Sequence, residues 1–472
     1  MRSSHSSNSA SEKRKLINPD SLWVRIVTWI VRELTGVVFI FSGFTKAVDP
    51  WGTLYKIQDY LGVMGLDIWP SLVKVGAFLL CAVEFIIGIM LCFGSFRRTA
   101  AWGATAIMCF MLPLTLWIAL YNPVPDCGCF GDALIISNWA TFGKNVALMI
   151  GVIWLSIFNR HAGWLITPAL QWIGLLATSV FCIAIEAAGY FYQPLLDFRP
   201  YPIGTSISET SSEEEPEYKF IYEKDGFRKE FSETDELPDE ADGWKFIDRI
   251  SVGDSDIDSR ITVRSEKDLR LWDTEAEEDV TEDVLPSEGR QILLVMPDLD
   301  KVSIASTWKI NSLYDWAIKN DIEMIAAASS TKEGLETWKD LSIPEYPVYT
   351  AEDTVLKELV RGNPAVVYIE NGEIMWKSTL RAINTDDFMA PETATNPMAF
   401  SHNDRAVLIN TSALYASVMA CLVTFSFLFR VRLQSMNLLK RKRRFFGKRA
   451  EKNQSETSDS EITHDDTALP EE

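Results

Sequence analysis

The sequence predicts an α-helical polytopic membrane protein that carries an α/β domain outside the bilayer. Three observations lead there. Six apolar stretches reach or approach the roughly 20 residues that cross a hydrocarbon core about 30 Å thick. A long acidic segment separates the fifth from the sixth and passes into a regular alternation of strand and helix patterns. Lys and Arg gather beside the apolar stretches, so the formal charge of −20 over 472 residues averages over segregated regions and describes no single face. A nucleic-acid binder presents a basic patch on a folded domain, and that pattern is absent.

The apolar stretches are residues 24–45, 72–93, 100–121, 139–158, 167–192 and 406–429, with Arg25, Arg32 and Glu33 interrupting the first. The stretch before Ser21 is polar and serine-rich, without the short apolar run and small-residue site of a cleaved signal. Orientation follows from basic residues in short loops. Lys13, Arg14, Lys15 and Arg25 precede the first stretch, Arg97 and Arg98 join the second to the third, and Arg160 follows the fourth. "RVRLQSMNLLKRKRRFFGKR" follows the sixth. All of these fall on one side if the chain has six spans and both termini are cytoplasmic. The loop 46–70, the loop around Cys127 and Cys129, and residues 193–405 then share the opposite side.

The chain divides into a polar tail (1–20), a four-span unit (21–160), a fifth span (161–193) and an acidic segment (194–287). A strand-and-helix domain (288–390), a linker with the sixth span (391–430) and a basic, then disordered tail (431–472) follow. Within the acidic segment "YKFIYEKDGFRKEFS" alternates and turns at Asp225-Gly226, which predicts a hairpin. The remainder of that segment, with "SETDELPDEADGW", is expected to be loop. From residue 290 the patterns predict strands over 291–296, 322–328 and 347–350. Helices are predicted over 303–319, 332–341 and 354–360, and "AVVYIENGEIMWKS" predicts a hairpin at Asn371-Gly372.

"VRGNPAVVYIENGEI" sets a short helix, Gly362-x-Pro364, a strand and a turn in succession. Over about residues 290–380 this resembles the cis-proline half of thioredoxin-like domains, particularly the membrane-tethered periplasmic kind. The resemblance implies that Pro364 is cis and that Gly362 and Pro364 present backbone to a client. The chain departs from the pattern in one respect. "MPDLDKVSIASTWKI", where Cys-x-x-Cys would follow the first strand, has no cysteine, and none occurs between Cys182 and Cys421.

The cysteines that stand close together are Cys127 and Cys129, in "YNPVPDCGCFGD". Gly128 gives the backbone freedom for the sharp turn that could bring their sulfurs together. A ring so small is strained, and strained, exposed disulfides belong to the labile or catalytic class. Lys144, one turn into the fourth span, could favour a thiolate there. A structural staple and two unreacted thiols fit the same spacing, although so short a loop gains little chain entropy when closed. A metal site lacks ligands, since two thiolates without nearby His or further Cys leave a tetrahedral ion incomplete. Cysteines 81, 92, 109, 182 and 421 lie in apolar stretches, where Cys acts as a small hydrophobe.

"RELTGVVFIFSGFTKAVDP", "EFIIGIML" and "DCGCFGD" within one four-span unit resemble the DoxX/MauE family of redox-associated membrane proteins, over about residues 21–159. The MauE branch is named for methylamine utilisation, where it is thought to support disulfide formation in a periplasmic dehydrogenase. The resemblance implies a four-helix bundle plus two further spans. It assigns Cys127 and Cys129 as the family's cysteine pair and Ser42, Gly43, Lys46, Asp49 and Pro50 as its first-loop motif. Methylamine itself finds no support in these residues. The added spans and cysteine-free thioredoxin-like domain resemble a subgroup found in Bacteroidetes. They imply an inner-membrane protein with residues 193–405 in the periplasm.

Charges inside spans are costly and point to pairing. Arg32 lies eleven residues inward of Gly43 and Glu84 thirteen from Ser71. At helical rise both sit roughly 16 to 20 Å deep, so the expectation is that they pair. Such a pair would hold the first two spans together or polarise a pocket for a membrane quinone; plain packing fits the same residues. The reading that results is a lipid-embedded thiol–disulfide redox protein. Cys127 and Cys129 act on periplasmic client proteins, a membrane quinone is the electron partner, and Gly362 and Pro364 hold the client. The rival class is a non-catalytic assembly protein with a structural Cys127–Cys129 disulfide.

Overall fold

The structure, a computed structural model, describes residues 21–124, 127–159, 163–207, 218–224, 227–232, 245–251, 269–285, 288–386, 396–401 and 403–462. Five of its helical segments are long and apolar enough to cross a membrane: Pro70–Phe93, Arg97–Tyr121, Asn138–Phe158, Pro168–Phe191 and Asp404–Met436. The chain is thus a multi-pass membrane protein with a mixed-sheet domain, here called the sheet domain.

Helix α1 (Leu22–Val48) carries Arg25, Arg32 and Glu33 and is not one of the five, yet it packs antiparallel along α3 (Pro70–Phe93). Small residues set how closely the two approach. A Cβ on Gly43 would stand 2.4 Å from Phe85 N, and one on Gly88 would stand 2.6 Å from Ile40 N. Side chains on either would wedge the backbones apart, which is why glycine recurs at such crossings. Helix α1 stops at Asp49-Pro50 because proline cannot continue it. The same dipeptide starts α2 (Pro50–Val63), where Asp49 Oδ1 accepts from Gly52 N at 2.9 Å. The sequence reading leaves 46–70 as a loop; α2 is a correction to it.

Helix α3 ends at Gly94 in the left-handed region, and α4 (Arg97–Tyr121) ends at Asn122 in the same conformation. Helix α5 (Asn138–Phe158) is capped by Ser137, and α6 (Gln171–Phe191) leads towards the sheet domain. Between them β1 (Tyr218–Lys224), β2 (Phe227–Ser232) and β3 (Lys245–Ser251) form a separate sheet in the order β2-β1-β3. The hairpin appears where the alternation predicts it, with its turn outside the described residues. Strand β3 occupies a stretch expected to be loop, a correction to that reading; Phe246, Ile247 and Ile250 supply strand-favouring residues beyond the acidic run.

The sheet domain has seven strands in the order β10-β9-β6-β7-β8-β4-β5. Its centre is β6 (Arg290–Met296), parallel to β7 (Glu323–Ala328), which is parallel to β8 (Val348–Thr350). On the other side of β6 lies β9 (Ala365–Glu370), antiparallel, followed by β10 (Glu373–Thr379). Strands β4 (Trp272–Asp273) and β5 (Glu278–Asp279) finish the far edge, followed by the short α7 (Thr281–Val284). Strand β6 is buried on both faces. Ile292, Leu294 and Met296 pack with Ile310 and Leu313 of α8 (Thr307–Lys319) and with Leu335 of α9 (Lys332–Ser342). Leu293 and Val295 pack with Val355, Leu356 and Leu359 of α10 (Asp353–Leu359). The β9–β10 turn is tight, with Asn371 at φ 51° and Gly372 at φ 76°, as the Asn-Gly signal requires. Residues 203–207 run along β10, where Ile374 N donates to the Thr205 carbonyl at 2.9 Å and Gly204 N to the Ile374 carbonyl at 2.8 Å.

Helix α11 (Asp404–Ile462) continues well past its membrane-length part into residues expected to be disordered. Lys, Arg, Glu, Gln and Ala make up half of residues 447–462, and their propensity helps to continue a helix already nucleated.

Replacing Gly43 by Ala should lower the midpoint of thermal unfolding in detergent, because backbone rather than a flexible side chain receives the new methyl; overpacking of this kind costs about 1–3 kcal/mol. Gly76→Ala, where nothing lies within 4 Å of the new Cβ, should leave the midpoint level or raise it. Equal effects from the two would show that the α1–α3 approach is not tight.

Candidate functional site

The cysteine loop closes on itself at the end of the bundle nearest the sheet domain. Asn138, at the start of α5, donates from Nδ2 to Asn122 Oδ1 at 2.9 Å, tying the loop's two ends together. Gly128 (φ 62°) and Gly131 (φ 57°) both take the left-handed region, and Gly131 N bonds the Gly128 carbonyl at 3.1 Å. The reversal brings the sulfurs of Cys127 and Cys129 to 2.7 Å. Cys127 sits among Ile118 and Val124, and Tyr60 Oη donates to its carbonyl at 2.7 Å. Phe130 packs on Phe41 with ring centroids 5.3 Å apart, and Lys144 Nζ lies 4.1 Å from the Phe130 centroid. Lys144 is therefore beside the loop, as its place in the sequence suggests.

The two thiols are inequivalent. A hydrogen bond from Cys127 is the main influence that lowers the Cys129 thiol to about 6; burial opposes it, and the ammonium groups of Lys144 and Lys46 assist it. Cys127 moves the other way, because its proton is held in that bond and because it is buried. On these directions Cys129 is the more acidic of the two thiols.

A polar cluster supports the loop from below. Ser42 Oγ lies 2.7 Å from the Cys129 carbonyl and 2.8 Å from Glu84 Oε2, either of which can accept its one proton. Lys46 Nζ is 2.7 Å from Glu84 Oε2 and 3.2 Å from Ser42 Oγ, with both charged side chains 5% exposed. This corrects the expected pairing of Arg32 with Glu84. Arg32 Nη2 is 3.0 Å from Glu33 Oε1 and Nη1 donates to the Gly163 carbonyl at 2.6 Å. The reason is register. Gly43 lies against Phe85 and Gly36 against Cys92, so Arg32, a further turn along α1, comes level with Gly94 beyond the end of α3. Counting depth from the two helix ends misses that offset.

The sheet domain reaches the site through Arg361, whose side chain is 5% exposed. Its Nη2 is 2.7 Å from Asp49 Oδ2 and 2.8 Å from Asp132 Oδ2, and Nε lies 2.9 Å from Asp49 Oδ2. Burial works against the guanidinium's charge, but Asp49 and Asp132 more than offset it and hold its proton tighter than usual. Burial also pushes the Asp132 carboxyl up, against the pull of Arg361. The 2.8 Å contact with a permanent cation decides for an ion pair. Arg361 N donates to Gln193 Oε1 at 2.9 Å, and Gln193 Nε2 donates to the Arg361 carbonyl at 2.7 Å. Gly362 (φ 92°) follows, buried so closely that a Cβ would lie 2.8 Å from Thr379 Cγ2, and then the cis Asn363–Pro364 bond. The loop expected to hold a client thus meets the bundle. Sequence reasoning placed Asp49 in a motif but gave no role to Asp132 or Arg361. Nothing local to Arg361 announces its partners, which are 312 and 229 residues away.

Lys46→Ala leaves Glu84 buried without its cation and should destabilise the protein by about 3–5 kcal/mol, whereas the joint change to Lys46→Met and Glu84→Leu should recover most of that loss. Thermal unfolding of the single and double variants in detergent checks this; additive losses would mean that the two charges do not act as a pair.

Residues 24–158, which hold α1 to α5 and the cysteine loop, match the model of a family described as Methylamine utilisation protein MauE. Residues 216–252, the region of the separate three-stranded sheet, match that of a Domain of unknown function (DUF8463). Comparison with curated proteins and with solved structures gives no match. Over residues 24–158 the chain is therefore similar to the MauE family.

Proposed function

We propose that the protein is an inner-membrane thiol–disulfide oxidoreductase in which Cys127 and Cys129 exchange electrons with periplasmic client proteins. The observation that carries this reading is the 2.7 Å approach of two inequivalent sulfurs at one end of a helical bundle. A bond of about 2.05 Å between them needs only a small further movement, and Gly128 already supplies the turn. In the oxidising direction a client thiolate attacks the Cys127–Cys129 disulfide at Cys127, and Cys129, the better leaving group, departs as thiolate. A second client thiolate attacks the client sulfur of that mixed disulfide, expelling Cys127, which takes up a proton. The client loses two electrons to the pair, and a membrane quinone is the class of acceptor that would take them, with two protons, as the pair reoxidises. Reduction of a client runs the same steps backwards: Cys127, giving up its proton, attacks the client disulfide, and the Cys129 thiolate then attacks Cys127 and releases the reduced client; relative potentials decide the direction.

The sheet domain fits a thioredoxin-like reading through its strand order β10-β9-β6-β7, its antiparallel β9 after a cis proline, and its flanking helices. Without cysteines of its own, it would serve as a client-binding module, with the half-buried Pro364 as the open side of the Gly362–Pro364 loop. Tethering a client beside the pair raises its effective concentration without new chemistry. Six spans, cytoplasmic termini and periplasmic residues 193–405 complete the proposed topology, and the positive-inside distribution supports it.

Alkylation of the reduced protein, with modified peptides identified by mass spectrometry, should proceed first at Cys129. Its rate should fall as pH drops through about 6, where the thiolate takes up its proton. On intact cells an impermeant maleimide should reach the pair. Cys129→Ser should accumulate mixed disulfides at Cys127, and replacing both cysteines by Ala should abolish the cell's oxidation of added dithiothreitol through this protein. Unchanged oxidation in the double variant, or a pair that dithiols cannot cycle, would falsify the enzymatic reading and favour a structural disulfide in an assembly protein.

A further inference from the structure

Helix α2 stands between the cysteine loop and the sheet domain and touches both. On the loop side, Tyr60 Oη donates to the Cys127 carbonyl, and the Lys56 side chain lies so near that a Cβ on Gly128 would be 3.1 Å from its Cγ. On the domain side, the Tyr55 ring faces Lys357 Nζ at 5.4 Å and the Arg361 guanidinium at 5.6 Å. At the first turn of α2, Asp49 both caps the helix and pairs with Arg361. The same guanidinium nitrogen that meets Asp49 also meets Asp132, three residues after Cys129. A single cation therefore ties together the start of the helix that covers the cysteines and the end of the loop that carries them.

We propose that Arg361 is a positioning residue that holds α2 closed over Cys127 and Cys129, so that the sheet domain controls how far the pair is open to a large thiol partner. This rests on the reading of the pair as the reactive thiols. The physical reason is charge. Asp49 and Asp132 share one cation, and when it withdraws two neighbouring carboxylates repel while each loses its charge-assisted hydrogen bond. The first turn of α2 then loses the contact that fixes it to the domain, and Tyr60 and Lys56 lift with it. A lysine cannot reproduce the arrangement in full, because it lacks the second nitrogen, Nε, that bonds Asp49 while Nη2 meets both carboxylates.

The test uses the full-length reduced protein in detergent, with modification at Cys129 followed by mass spectrometry and with two reagents of different size, iodoacetamide and a polyethylene-glycol maleimide. Arg361→Ala should raise the rate with the large reagent roughly tenfold, within the ordinary range of coupling between sites, while iodoacetamide changes far less. Arg361→Lys should restore part of the protection, and Asp132→Asn, which keeps the Asp49 contact, should give a smaller increase in the same direction. An unchanged rate with the large reagent, or an equal change with both reagents, overturns the proposal, since the second would report altered thiol chemistry instead of access. Should Arg361→Ala fail to fold, unchanged size selectivity in both Arg361→Lys and Asp132→Asn overturns it equally. Loss of dithiothreitol cycling at Cys127 and Cys129 with the size selectivity intact would remove the redox reading and leave the closed helix standing.

Discussion

A buried guanidinium shared by two carboxylates is the interaction on which the arrangement of this protein turns. Arg361 sits where the sheet domain meets the membrane bundle, and its two acidic partners come from distant parts of the chain: the junction of α1 with α2, and the turn after the cysteines. Charges removed from water are tolerated only when fully partnered, so this contact is demanding about geometry. It specifies one way for the domain to sit on the bundle. Gln193 reinforces that choice by bonding both backbone groups of Arg361 from the segment that follows α6.

The bundle itself obeys the same rule. Lys46 and Glu84 neutralise each other inside it, and Ser42 carries their influence to the carbonyl of Cys129. The backbone of the cysteine loop is thereby held from the bundle side by Ser42 and from the α2 side by Tyr60, while the sulfurs keep the freedom that Gly128 provides. Such a loop has a fixed frame. Under the proposed function, that frame would hold the pair in place as its sulfurs alternate between bonded and separate states.

Much of the fold was legible because its periodicities are strong. The five-residue apolar run of β6, the alternation into helices α8, α9 and α10, and the Asn371-Gly372 turn each match a local physical requirement, and the structure follows them. The cysteine pair was legible as a place, since its two sulfurs are one residue apart, and Lys144 was found from its position near the start of α5. Other features escaped for definite reasons. Helix α2 is short and lies between two apolar stretches, although Asp49-Pro50 carried a helix-start signal. The partner of Glu84 was misassigned because helix ends do not reveal register, which the glycine contacts of α1 and α3 set. Arg361 had no local signal, because a long-range ion pair leaves no trace in spacing.

The short segment 203–207 has an effect beyond joining α6 to the sheet. By bonding along β10 it occupies the rim that would otherwise offer unpaired amides and carbonyls, and the opposite rim ends in β5, only two residues long. At Gly372 and Ile374 that border is already paired, and the other border offers a foreign strand only a very short template, so among the described residues the chain itself limits cross-chain ladder growth, the usual hazard of an exposed sheet.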